Sequence, residues 1–199
     1  MSGTPDLVLA SGSPRRRELL AEAGYRFRVV EPGISENEDT RLPVRRLTSE
    51  NAALKAAAVA RRMPGSVVLA ADTLVLADDQ VLTKPADRAE AARMLQLLSG
   101  KTHEVFTAVA LRHAATDAAI DFTVTTEVRF KPLDEDARAA YHALVDPLDK
   151  AGGYAAQEHR ELIIDRIDGS LSNVVGLPMD EVAEALLARF GISPCRTAR

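Results

Sequence analysis

Short apolar runs and helical periodicities alternate along this chain. Asp6–Ala10 (DLVLA) is a brief apolar run ending on Ser-Gly-Ser-Pro, the pattern of a buried strand and a turn. Ser13 before Pro14 predicts a helix start, with Ser as N-cap and Pro at the first helical position. Leu19, Leu20 and Ala23 keep helical spacing until Gly24, which suits the left-handed position after a helix. Tyr25–Pro32 alternates as a strand, and the polar stretch Glu31–Leu42 predicts a loop. From Pro43 to Met63, Val44, Leu47, Asn51, Leu54 and Ala58 recur at helical spacing among many alanines, predicting a long helix. Gly65–Ala77 is a Val- and Leu-rich strand with Asp72 and Thr73 in its middle. Asp78 and Asp79 can turn it back into Gln-Val-Leu-Thr-Lys-Pro.

The second half continues the alternation. A helix over about 87–98 stops at Gly100. His103–Phe130 reads as a long hairpin turning at Thr116–Asp117, and a helix over about 134–145 follows. Asp146–Gln157 (DPLDKAGGYAAQ) is a glycine-containing loop, and Glu161–Gly176 reads as strand, turn, strand. Pro178–Gly191 is a closing helix. Strands alternating with helices, plus an antiparallel insertion, predict an α/β fold with a mixed sheet. No repeat, low-complexity tract or linker interrupts it, so a single domain over 1–199 is expected, with a core at 6–192 and a tail at 193–199.

Composition narrows the function. The formal net charge is −4 and aromatics make up 4% of the chain, so neither a basic field nor stacking platforms favour nucleic acid. Any anion site must be local. Cys195 is the single cysteine, which excludes a disulfide framework and a four-cysteine zinc site. The start MSGTPDLVLASGSP lacks a basic region and an apolar signal core, and no run of ~18 apolar residues exists to span a membrane. A soluble, cytoplasmic protein is expected.

Three features can carry chemistry. Arg15, Arg16 and Arg17 fill the first turn of the predicted first helix, where the macrodipole is already positive. Successive helical residues project about 100° apart, so the three cannot all face one ligand. Backbone N–H groups there plus one or two guanidiniums make a polyphosphate site; a solvated face paired with Glu18 or Glu22 is the plainer reading. Asp72 interrupts an apolar strand, where a buried carboxylate needs a partner or a metal; an acid at a sheet end or capping a helix is the alternative. Lys84 follows the paired strand and can lie close to Asp72 across the hairpin, Lys55 sits on an alanine-rich helix face, and Glu36 lies in the polar loop. The third feature is the loop Asp149–Gln157 with its paired glycines and a Gln able to read a base edge, together with Asp168–Pro178; taken alone, each reads first as a plain turn.

Other patterns are decoys. The Gly-Lys-Thr at 100–102 lacks the glycine five residues earlier that a phosphate-binding P-loop needs, since Leu95 stands there, and Gly100 closes a helix rather than opening one. Ser13 is not set in a Gly-x-Ser-x-Gly elbow. His103, His113, His142 and His159 show no metal-ligand spacing and read as structural or exposed. What remains is an anion-binding helix start, a strand acid, two lysines and a glycine loop with an amide, together suited to a phosphorylated, base-bearing ligand.

In register, LASGSPRRRELL, AADT, Lys84–Pro85, LSGKTHEVFTAVAL, PLDKAGGYAAQ and IDGSLSNVVGLP resemble the Maf family of nucleoside triphosphate pyrophosphatases, from Leu7 to about Ile192. The resemblance implies a mixed, twisted central sheet flanked by helices, with two lobes around a cleft, of the Maf/Ham1-like, inosine triphosphatase-like type. It implies hydrolysis between the α- and β-phosphates to a monophosphate and pyrophosphate, a divalent cation (Mg²⁺ or Mn²⁺), and a homodimer with neither nucleic-acid nor membrane partners. Asp72 would activate water or help hold the metal, with Glu36 as a second metal carboxylate. Ser11, Arg15 and Arg16 match the phosphate-binding motif, and Lys55, Lys84 and Glu36 match positions lining the cleft. Arg15, Thr73 and Gln157 match positions that set base preference. Arg16 and Thr73 match the subgroup acting on dTTP and UTP rather than the one acting on 7-methyl-GTP. Gly153, Glu158 and Leu171 depart from the usual pattern and bear on base selectivity. A non-catalytic nucleotide-binding regulator of cell division is the competing role associated with the same family.

Overall fold

The computed structural model describes residues 4–195; positions 1–3, and 196–199 of the expected tail, lie outside the described residues. In chain order the elements are β1 (Leu7–Leu9), α1 (Pro14–Glu22), β2 (Phe27–Val29), α2 (Val44–Arg62), β3 (Val67–Ala77), β4 (Gln80–Leu82), α3 (Arg88–Leu98) and β5 (Thr102–His113). Then follow β6 (Ala118–Phe130), α4 (Glu135–Leu144), α5 (Arg160–Ile163), β7 (Ile164–Asp168), α6 (Leu171–Val175) and α7 (Met179–Phe190). The strands form one seven-stranded sheet in the order β2-β1-β3-β5-β6-β7, with β4 paired to β3. β1 pairs parallel with β2 and β3, whereas β4 and β7 pair antiparallel, so the sheet is mixed and flanked by helices. No helix among the described residues is long and apolar enough to cross a membrane. By its internal contacts the chain divides into two compact units. One runs through Asp72 and includes Thr107–Val124 and the chain from Gly176 on; the other comprises Thr73–Phe106 and Thr125–Val175.

In the first unit both faces of the central strands are covered, which is why β1 and the adjoining parts of β3 and β5 are largely apolar rather than alternating. Leu7, Leu9, Val67, Leu69, Val109 and Leu111 form one core with Leu20 of α1 and Val182 and Leu186 of α7. Their neighbours Val8, Ala10, Val68, Ala70, Ala108 and Ala110 form a second core with Ala52, Ala56 and Val59 of α2. Period-two side-chain direction splits each strand between the two cores. Small residues on both surfaces let the alanine-rich α2 lie on the strands. Full burial of a side chain such as Leu186 stabilises by about 2 kcal/mol.

In the second unit, Asp87 caps α3 by accepting from Glu90 N–H at 2.7 Å, while Glu90 accepts from Ala86 N–H at 2.7 Å. Gly100 ends that helix at φ +71°, as its position after Leu98 predicts. Gly152 and Gly153 both take positive φ; a Cβ on Gly153 would sit 3.3 Å from Ala91 Cα, so this loop needs small residues to reach α3. Tyr141 Oη accepts from Ala155 N–H at 2.9 Å and donates to its carbonyl at 3.1 Å, pinning the segment that leads to Gln157.

Two expectations change. The strand expected over Tyr25–Pro32 shrinks to Phe27–Val29. The second strand expected within Glu161–Gly176 is the helix α6, because Ser170 Oγ accepts from Asn173 N–H at 3.2 Å and starts a helical turn. Asn173 then donates to Val105 O at 3.1 Å and Thr126 Oγ1 at 3.0 Å, which fixes that turn.

Candidate functional site

The site grows from the turn after β1. Ser13 holds the N-cap position of α1 with an extended backbone, but its side chain makes no capping bond, contrary to expectation. Ser11, two residues earlier and buried, braces the turn before the helix: its Oγ accepts from Ser13 N–H at 3.1 Å. The same oxygen accepts from an Arg16 guanidinium nitrogen at 3.3 Å. Arg16 Nε donates to Gly176 O at 2.8 Å, so one guanidinium is fixed by the β1 turn and by the segment before α7. Arg15 and Arg16 are partly buried and Arg17 is exposed, as the 100° step along a helix requires. No acid stands in the first turn to neutralise them. Burial lowers the Arg16 pKa, Asp72 opposes that, Arg15 adds to the fall and Glu36 again opposes it, so these four groups share one electrostatic environment.

Asp72 lies at the heart of that environment. Its strand is covered on both faces, leaving the residue 6% exposed. Lys55, on the inward face of α2, is equally buried and places Nζ 2.8 Å from Asp72 Oδ1. The same ammonium lies 2.6 Å from Glu36 Oε2 and 3.5 Å from Ala71 O. Three acceptors therefore match its three protons. Asp72 Oδ2 is buried and has no hydrogen-bond partner among the described residues. A buried carboxylate oxygen left this way costs free energy unless a ligand or cation takes it.

The structure thus gathers Ser11, Arg15, Arg16, Glu36, Lys55 and Asp72. Three cations against two carboxylates leave the cluster net positive. The remaining expected residues belong to the second unit: Thr73 is partly buried in β3, Lys84 is exposed after β4, and Gln157 is exposed at the end of the glycine segment. The histidines have structural or surface settings. His103 pairs with Tyr154 Oη at 2.9 Å, His142 reaches Gly153 O at 3.0 Å, and His113 reaches Thr116 Oγ1 at 2.8 Å. His159 is exposed with φ +53°.

Two participants escaped sequence reasoning. The Gly176 carbonyl carries no side-chain signal. Asn51, read only as one position in a helical repeat, holds the backbone of Asn37 beside Glu36. Its signal was there: a poor helix former on the buried face of an alanine-rich helix, one turn before Lys55.

A family model described as Maf-like protein matches residues 6–189. The chain is 46% identical over 182 residues to a protein of Akkermansia muciniphila named dTTP/UTP pyrophosphatase, covering 92% of this chain and 95% of that one. It is 47% identical over 188 residues to a protein of the same name from Salmonella typhimurium, covering 92% of each. Among solved structures it is similar to a HAM1 protein from Coxiella burnetii, with a TM-score of 0.57 and 16% identity over 92% of this chain and 99% of the other, a likeness of fold.

Proposed function

The chain belongs to the Maf family, and on that premise we propose that it is a nucleoside triphosphate pyrophosphatase that hydrolyses dTTP and UTP to the monophosphate and pyrophosphate. The observation that carries the reading is Asp72: a buried acid with one oxygen held by Lys55 and the other without a partner, beside an arginine-lined helix start.

Phosphoryl transfer needs positioning and charge neutralisation more than covalent chemistry, and the cluster supplies both. The N–H groups at the start of α1 and the guanidiniums of Arg15 and Arg16 bind triphosphate oxygens. Arg16, fixed by Ser11 and Gly176, enters that contact already oriented. Asp72 Oδ2 accepts the proton of the attacking water, while Lys55 balances the carboxylate charge. Lys55 and Lys84 stabilise negative charge developing on the phosphoryl oxygens. Thr73 and Gln157, with Arg15, favour the pyrimidine base.

Carboxylate oxygens fit a hard divalent cation, Mg²⁺ or Mn²⁺, which Glu36 and Asp72 would help hold beside the attacking water. Such an ion, when bound, lowers the pKa of coordinated water and neutralises phosphate charge. The reading carries with it a cytoplasmic homodimer.

The test is pyrophosphate release from a panel of canonical triphosphates with Mg²⁺ or Mn²⁺. Release from dTTP and UTP, reduced about a thousandfold or more in Asp72→Asn, is expected. Nucleotide binding without release would make the chain a nucleotide-binding regulator, and near-normal turnover by folded Asp72→Asn would remove Asp72 from the chemistry.

A further inference from the structure

Glu36 lies in a twelve-residue stretch, Glu31–Leu42, almost devoid of regular structure, yet its carboxylate meets Lys55 at 2.6 Å. Ordering backbone costs about 1–2 kcal/mol per residue, so something must hold this segment. Asn51 is 3% exposed on α2. Its Oδ1 accepts from Asn37 N–H at 2.8 Å and its Nδ2 donates to Asn37 O at 3.0 Å. One amide thus satisfies both backbone groups of the residue after Glu36, much as a neighbouring strand would. Asn51 and Lys55 are four residues apart, on one helix face, so that face grips the loop backbone with one side chain and the Glu36 carboxylate with the next.

The rest of the loop is tied to itself or to α2. Asn37 Oδ1 accepts from Asp39 N–H at 3.0 Å, and Asp39 Oδ1 accepts from Arg41 N–H at 3.1 Å. Arg62, near the end of α2, donates to Glu31 O at 2.7 Å and Pro32 O at 3.2 Å. Arg62 grips the loop's start and Asn51 grips the residue beside the carboxylate.

From this we infer that Asn51 is a positioning residue that sets the Glu36 carboxylate against Lys55; its kinetic consequence rests on the role proposed for Glu36. A buried amide in an alanine-rich helix weakens the helix and adds nothing to an apolar core. Its two bonds to Asn37 account for it.

The experiment is a double-mutant cycle of Asn51→Ala and Glu36→Gln, read by kcat/KM for dTTP, with amide hydrogen exchange of the loop measured on the same proteins. Folded Asn51→Ala should exchange the Asn37 amide at least tenfold faster and lose roughly tenfold in kcat/KM, as loss of a group orienting a ligand does. The double variant should be no worse than Glu36→Gln alone, because Asn51 acts through Glu36. Defects that multiply, or an Asn37 amide that exchanges as in the parent protein, would overturn the inference. Should Asn51→Ala fail to fold, Asn51→Leu restores the lost volume and serves in the same cycle. Wild-type turnover by Glu36→Gln would strike instead at the role proposed for Glu36, and Asn37 exchange alone would then decide whether Asn51 is the clamp.

Discussion

The Lys55 ammonium lies 2.8 Å from Asp72 Oδ1, with the two side chains only 7% and 9% exposed. Each is the other's countercharge in a place where neither could stay unpaired. Removing one partner of such a pair costs about 3–5 kcal/mol, because the survivor is left charged and dry. Lys55→Met should therefore lower unfolding stability by about that much in urea titrations. Lys55→Met combined with Asp72→Asn should recover most of it while remaining inactive. A single variant as stable as the parent would show that Asp72 is not dependent on Lys55.

The three arginines should separate sharply. Arg17 is exposed, so Arg17→Ala should leave KM for dTTP within about twofold and stability within about 0.5 kcal/mol. Arg16→Lys should behave as a loss, since lysine cannot reproduce the Nε bond to Gly176 together with the contact to Ser11. Steady-state kinetics on the two variants check the contrast, and equal defects would contradict it.

His103 gives the fold a pH dependence. Burial lowers its pKa from 6.5 to about 4. The unfolded chain then binds the proton more readily, so stability is fully present above pH 6.5 and declines as pH falls towards 4. The whole effect amounts to about 3 kcal/mol. His103→Gln, which keeps a polar partner for Tyr154 without titrating, should flatten that one-proton slope in denaturation curves recorded across the window. An unchanged slope would assign the acid sensitivity to other groups.

The β3–β4 turn carries, at Asp79, a residue poorly suited to its geometry. Asp78 and Asp79 adopt φ +48° and +60°, the double left-handed pattern of a tight hairpin turn. Asp-Gly serves that turn better, because glycine carries no Cβ penalty there. Asp79→Gly should raise stability by about 0.5–1 kcal/mol, visible as a higher Tm, and leaves the Asp78 contact to Lys101 at 2.6 Å intact. A lower Tm would mean that the Asp79 side chain makes a contribution larger than its strain.

Much of the fold was legible because local rules and global packing agree. The helix α2 follows from alanines at helical spacing, and β3 from an unbroken Val and Leu run that only a sheet covered on both faces can bury. The errors arose where agreement is weak. Leu171–Val175 has strand-like residues, but Ser170 starts a helical turn by accepting from Asn173 N–H, and the buried Asn173 fixes it through bonds to Val105 and Thr126, far away in sequence. Ser13 does hold the N-cap position before Pro14, but its side chain makes no capping bond, a detail set by the turn geometry in which Ser11 Oγ takes the Ser13 N–H.

The sequence by itself determined the alternation of strands and helices, the site's residue types and the family resemblance, since these are written in periodicity and in short motifs. Tertiary structure alone decided that Glu36, Lys55 and Asp72 meet at one ammonium, that Arg16 is held by the Gly176 carbonyl, and that Asn51 faces the loop rather than the core. The reason is physical. Periodicity tells which side of an element is buried, but which buried polar groups find one another depends on how segments distant in sequence are brought together.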